Sequence, residues 1–218
     1  MSENNLDALH NGALWHNFCD NLKSAGDEIL AQGVPGDDLT RAEGYRYLTR
    51  LLRLSLEKNI EFGDPRCPQF YSLSHETAKI GNDNPDNHYL NCAVDGTLDY
   101  CIRGNRGTVD YLSIESKAGS FAGGGDMAPT GHLTLDELEA DDDGNFELRV
   151  SSREQPGNWL PMTAATDNLL VRQTFRDRRR ERRAEFSIEC LDSAAAPVMG
   201  LEARPEVASD PPHSVPTM

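Results

Sequence analysis

No stretch of this sequence approaches the roughly 20 consecutive apolar residues that a membrane-spanning helix needs. The opening MSENNLDALHNG has neither the basic nor the apolar region of a secretory signal. Positive charge is scarce: 21 basic residues stand against 36 acidic ones, a net charge of −15, which repels nucleic-acid phosphates and anionic membranes at long range. The five cysteines, Cys19, Cys67, Cys92, Cys101 and Cys190, are an odd number without a C-x-x-C pair, so neither a disulfide framework nor a zinc knuckle is expected. There is no P-loop, no G-x-S-x-G elbow and no H-E-x-x-H pair. These absences predict a cytoplasmic protein with no metal site, no cofactor, no nucleic-acid partner and no membrane partner.

What is present suits one well-buried domain: 218 residues, 38% hydrophobic and 26% charged. Leu14, Phe18, Leu22, Ala25 and Ile29 recur at helical steps, and Gly33, Pro35 and Gly36 break the pattern. Thr40 with Glu43 fits a capping box that restarts it. Tyr45, Leu48, Leu52 and Leu56 then form an inward stripe, and Gly63, Asp64 and Pro65 end the helix. From about residue 87 the period becomes 2. HYLNCAV and LDYCIRG flank Asp95-Gly96, a strong hairpin signal. TVDYLSI, FELRVSS, NLLVRQTF and AEFSIEC follow, with the alternation of antiparallel strands that keep one wet face. The expected fold is mainly β: an antiparallel β-sandwich or jelly-roll-like domain preceded by two N-terminal α-helices. Residues 1–65 would be a helical hairpin, 66–192 the β-sandwich, and 193–218 a Pro-rich disordered tail.

Each candidate for chemistry has a structural counterpart. The segment KIGNDNPDNHYL reads as an ordered bend into the first strand, its Asn and Asp side chains satisfying local backbone donors. In the functional alternative, Asn84, Asp86, Asn87 and Tyr89 rim a site, and Asp86 acts as a base with His88 nearby. Trp159, with Asn158 in PGNWLPM, would wall an apolar pocket and donate its indole N–H to a ligand. Arg172 sits in an otherwise apolar strand and needs a partner if buried: Asp95, Asp86 or a substrate anion. Arg103 poses the same question. DDDGN at 141–145 fails the calcium-loop pattern and reads as a solvated hairpin turn. GGGD at 123–126 reads as a flexible loop or lid. RDRRRERR at 176–183 reads as a solvated hairpin connection rather than a nucleic-acid surface. Cys92 and Cys101 would face each other across a DGTL loop; with a two-residue loop, Cys92 would face Asp99.

Four motifs taken in order, NPDNHYL, DYCIRGNRGTVDYLSI, GNWLPM and LLVRQTFRDR, resemble the domain of unknown function 1214 family over about residues 40–192. The resemblance implies a jelly-roll-like β-sandwich and bacterial relatives without an agreed reaction. It carries over Asn84, Pro85, Asp86, Asn158, Trp159 and Arg172 as motif positions, and the pattern departs after Asp192. The expectation is a site at one end of the sandwich, between the Asn84–Tyr89 bend and the Trp159 loop. It would serve either a binding protein for a small, largely apolar organic molecule or a metal-independent hydrolase or lyase, with Asp86 as base and Arg172 or Arg103 as charge stabiliser. The alternative is a protein–protein interaction module that uses the helical hairpin or a sheet edge. A homo-oligomer is compatible with either.

Overall fold

The computed structural model describes residues 3–81, 84–119 and 127–192. The expected lid at 123–126 and tail at 193–218 lie outside the described residues, as do Asn82 and Asp83 of the bend. Among the described residues, three α-helices come first: α1 (Glu3–His10), α2 (Ala13–Asp27) and α3 (Asp38–Leu56). The expectation of two is thus corrected. Gly12, at φ 79, separates α1 from the apolar stripe of α2, and only glycine takes that conformation without steric cost. The cap of α3 is Asp37 rather than Thr40: the Asp37 carboxylate accepts from the Thr40 backbone N–H at 3.0 Å and from its hydroxyl at 2.7 Å. Beyond Leu56 the helix widens into a π turn over Glu57–Glu61, a distortion that recurs at functional sites. No described helix is long and apolar enough to cross a membrane.

Eight strands follow among the described residues: β1 (Asn87–Ala93), β2 (Tyr100–Asn105), β3 (Tyr111–Ala118), β4 (Ala128–Thr134), β5 (Asn145–Ser151), β6 (Trp159–Pro161), β7 (Thr166–Thr174) and β8 (Glu185–Cys190). They form two four-stranded sheets, ordered β1-β7-β3-β4 and β6-β5-β2-β8. All pairings are antiparallel except β5 with β6. The alternation read from the sequence holds in β5, where Phe146, Leu148 and Val150 are buried and Glu147 is exposed. Both sheets feed one core: Cys92, Leu112, Ile114, Leu169 and Val171 from the first, Tyr100, Ile102, Leu148, Val150 and Leu160 from the second.

The helices stay outside that core. Leu54 is the one buried residue of α3, and α2 has none. The inward stripes expected for them are therefore not buried: Leu14, Tyr45 and Leu56 are exposed.

Asp95-Gly96 does not close a hairpin. β1 pairs with β7, whereas β2 pairs with β5 and β8. The turn carries the chain from one sheet to the other, pinned by the buried Tyr100 hydroxyl, which accepts from Asp95 N–H at 2.8 Å. Gly96 is required because a Cβ there would collide with the Thr163 carbonyl. Cys92 therefore lies opposite Leu169, and Cys101 opposite Arg149 and Glu189, on different sheets. All five thiols are free. GNRG, DDDGN and RDRRRERR likewise connect strands of different sheets rather than closing hairpins. In the second of these, the Asp141 carboxylate accepts from the backbone N–H groups of Asp143 and Asn145, which closes the turn locally.

Candidate functional site

From Asn84 onward the Asn-rich bend is an ordered turn into β1. Asn84 Oδ1 accepts from Asp86 N–H at 2.9 Å, and the Asn84 carbonyl accepts from Asn87 N–H at 3.1 Å. Arg178 fastens it, donating to the carbonyls of Pro85 at 2.7 Å and Asn87 at 2.9 Å while its guanidinium stacks on Phe175. Asn84 and Asp86 are exposed, and the Asp86 carbonyl accepts from Phe175 N–H. His88 lies beyond the bend, half-buried beside Arg183. Burial, with the charges of Arg183 and Arg178, holds its imidazole below the usual range.

Asn158 and Trp159 are not brought to this bend. Trp159 lies opposite Arg149 at the edge of the second sheet. Two residues on, the Pro161 carbonyl accepts from Ser116 Oγ at 2.6 Å. Ser116 is five residues along β3 from Tyr111, which shares a row with Thr174 and Asn87. At about 3.3 Å per residue, the bend and Trp159 occupy opposite ends of the strands. The Trp159 indole N–H donates to Ser151 Oγ at 3.2 Å and to the Ser151 carbonyl at 3.3 Å. Asn158 ties the Glu139 segment to β5: it accepts from Glu139 N–H at 2.8 Å and donates to the carbonyls of Glu139 and Glu147. Arg103, on the exposed face of the second sheet, bridges Glu147 at 3.0 Å and Glu189 at 2.5 Å. Its hydrogen bond holds the Glu147 carboxyl below the usual range.

Asn87, Tyr89 and Arg172 do share a surface, the outer face of the first sheet. One row across that face is Tyr89, Arg172, Ser113 and Thr134; the next is Asn91, Leu170, Glu115 and His132. Asn87 donates to the Tyr89 hydroxyl at 2.7 Å and accepts from Thr174 Oγ1 at 2.8 Å. The Arg172 guanidinium lies 5.5 Å from the Tyr89 ring centroid. Among the described residues no carboxylate lies within ion-pair range of it, so neither Asp86 nor Asp95 is its partner.

Sequence reading missed a cleft of about 580 Å³ beside this face, lined by Glu57, Glu61, Phe62, Phe70, Tyr71, Ser72 and His75. The π turn supplies Glu57 and Glu61. Tyr71 exchanges backbone hydrogen bonds with Asn91 at 2.9 and 2.8 Å, adding a bridge at the β1 edge. Its ring stacks on Phe62, with centroids 4.7 Å apart and planes within 5° of parallel. Burial pushes the Tyr71 hydroxyl up to about 12, so it stays a neutral donor at physiological pH. Glu57 accepts from Arg53 at 2.8 Å and lies 3.6 Å from His75 Nε2, and His75 Nδ1 lies 3.3 Å from Thr77 Oγ1. The sequence signal was the set of aromatics around GDPRCPQ, Phe62 before it and Phe70 and Tyr71 after it, which has no periodicity to draw attention. Among the described residues, no three His, Cys, Asp or Glu side chains are placed to hold a metal ion.

No family model and no curated protein matches the chain. Among solved structures, it is similar to an uncharacterized protein from Burkholderia cenocepacia, with a TM-score of 0.82 and 49% identity, covering 88% of this chain and 53% of that one. It also aligns with the VPA0106 protein from Vibrio parahaemolyticus at a TM-score of 0.35 and 14% identity, covering 86% of this chain and 46% of that one. Both come from bacteria, and the chain spans about half the length of each.

Proposed function

We propose that this protein binds a small, flat, largely apolar organic molecule in the cleft between the π turn of α3 and the β1 edge. The observation that carries the reading is the Phe62–Tyr71 stack facing a cleft of about 580 Å³ with Glu57, Glu61 and His75 on its rim. Ligand sites are typically concave, aromatic and of roughly 300–1,000 Å³, with few polar groups. Binding is favoured over the hydrolase or lyase variant because Asp86, its base, is exposed and Arg103 is engaged by Glu147 and Glu189. On this reading the chain is a cytoplasmic member of the domain of unknown function 1214 family, its two sheets packed as a jelly-roll-like sandwich. The shared core and the NPDNHYL and GNWLPM motifs support that assignment. The test is a thermal-shift screen with steroid, terpene, aromatic and acyl-ester compounds on wild type and Phe62→Ala. Aromatic compounds at a hundredfold their dissociation constants should stabilise the wild type by about 2.7 kcal/mol, and the variant should lose the shift. An unchanged shift in Phe62→Ala, or none across the panel, removes the proposal.

One observation favours the interaction-module reading. Among the described residues, eleven of the thirteen exposed large hydrophobics, Trp15, Leu39 and Ile60 included, lie between Leu6 and Ile60. Such concentration marks contact surfaces. Under this reading the helices hold a protein partner, a second copy included. Sedimentation of wild type against Trp15→Glu checks the homo-oligomer: a dimer that dissociates in the variant supports it, and a monomer in both excludes it.

A further inference from the structure

We propose that the outer face of the first sheet is a second binding site, for an organic carboxylate, with Arg172 as its anion ligand. The proposal does not rest on the aromatic cleft. Among the described residues, three buried side-chain polar atoms lack any hydrogen-bond partner: Ser113 Oγ, Asn168 Nδ2 and Arg172 Nε. Folded proteins leave few such atoms. Here all three belong to one face. Ser113, 0% exposed, is the register partner of Arg172; Asn168, 8% exposed, lies four residues back along β7 on the same side. All three can donate a hydrogen bond.

The charge on this face is unbalanced as well. Glu115, one row from Arg172, is committed to Lys117 at 2.7 Å, with both side chains about 15% exposed. Among the described residues, Arg172 keeps only the Tyr89 ring. A half-buried guanidinium without a counterion draws an anion, and its fork of N–H donors matches the two oxygens of a carboxylate. In the proposed bound state the Arg172 side chain swings outward and the ligand reaches Ser113 Oγ and Asn168 Nδ2, both buried in the free chain. The spacing sets the shape of the ligand. Four residues of strand span about 13 Å, with Leu170 between. A carboxylate at Arg172 and Ser113, an apolar stretch over Leu170 and a second acceptor at Asn168 would satisfy all three orphaned atoms.

The experiment compares hexanoate with hexanamide, and 6-hydroxyhexanoate with inorganic phosphate, by calorimetric titration of the full chain. Arg172→Met, which preserves the side-chain stem, and Phe62→Ala are run alongside. Both carboxylates should bind, hexanamide should not, and 6-hydroxyhexanoate should bind tighter. Affinity should fall at least tenfold in Arg172→Met and stay unchanged in Phe62→Ala. Equal binding of the amide, tighter binding of phosphate, or carboxylate binding retained in Arg172→Met would overturn the proposal. Should Arg172→Met fail to fold, the Arg172 Nε–H resonance of nitrogen-labelled wild type decides. It must shift on adding hexanoate, and an unmoved signal rejects the site.

Discussion

Gln173 and Ala184 form a side-chain copy of a β-bridge. The Gln173 amide donates to the Ala184 carbonyl at 3.1 Å and accepts from its N–H at 2.8 Å. Both residues are buried, so this amide ties the end of β7 in the first sheet to the start of β8 in the second. Replacing it orphans two backbone groups in the core, and each costs roughly 1–3 kcal/mol. Gln173→Leu, which nearly conserves volume, should therefore lose about 3 kcal/mol in urea denaturation. A loss near zero would show that packing alone holds this junction.

Two glycines that look equivalent in sequence should respond to alanine for different reasons. At Gly96 a Cβ would collide with the Thr163 carbonyl, part of the backbone at the β7 approach. Gly157 has φ 74 but open space around the position. Gly157→Ala should cost about 1–2 kcal/mol, the penalty of left-handed backbone. Gly96→Ala should cost more and shift the chemical shifts of Thr163 and Ala164. Equal destabilisation with no change at Thr163 would remove the close-approach account.

Acid sensitivity should pass through His88. Burial, then Arg183 and Arg178, hold its folded-state pKa below the ordinary 6.5. Between those two values the unfolded chain binds more protons than the folded one, so stability falls as pH drops. It is fully retained above 6.5. Melting temperatures from pH 7.5 to 5 should decline in wild type and decline less in His88→Gln. Parallel profiles would place the acid response elsewhere.

Thiol chemistry offers a map of the core. Cys67 is exposed, whereas Cys92 and Cys101 are buried. Burial pushes the Cys92 thiol up to about 12 and also raises Cys101. Only the thiolate attacks a disulfide reagent. At pH 8 the fastest-reacting thiol of the native protein should be absent in Cys67→Ser, the half-buried Cys19 and Cys190 should react more slowly, and Cys92 and Cys101 should react only in denaturant. Rapid labelling of Cys92 would contradict the core assignment.

The sequence was a good guide to elements and a poor guide to their partners. Alternation located six strands because Phe146, Leu148 and Val150, and their equivalents elsewhere, face a core on one side only. β6 has three residues, too few for a period, and β4 reads APTGHLT, with a proline and a glycine inside the strand. Asp95-Gly96 signalled a tight turn correctly, but the glycine answers to a carbonyl from another segment, and no local pattern encodes that. Arg172 stood out as a charge in an apolar strand. The cleft did not, because Glu57, Phe62, Tyr71 and His75 come from a π turn and an irregular segment that no period marks.

The strand order has a kinetic consequence. Asn87 of β1 meets Thr174 of β7, a contact closed over 87 residues, and β2 waits for both β5 and β8. Only β3 with β4 and β5 with β6 pair as consecutive strands; the other four pairings must meet the entropy of closing large loops before they return any stability. Refolding of the β region should then take milliseconds to seconds, typical of non-local β topologies. A ribosome-bound chain lacking β7 and β8 would leave β1 without its strand partner and one edge of β2 open, the state most exposed to aggregation.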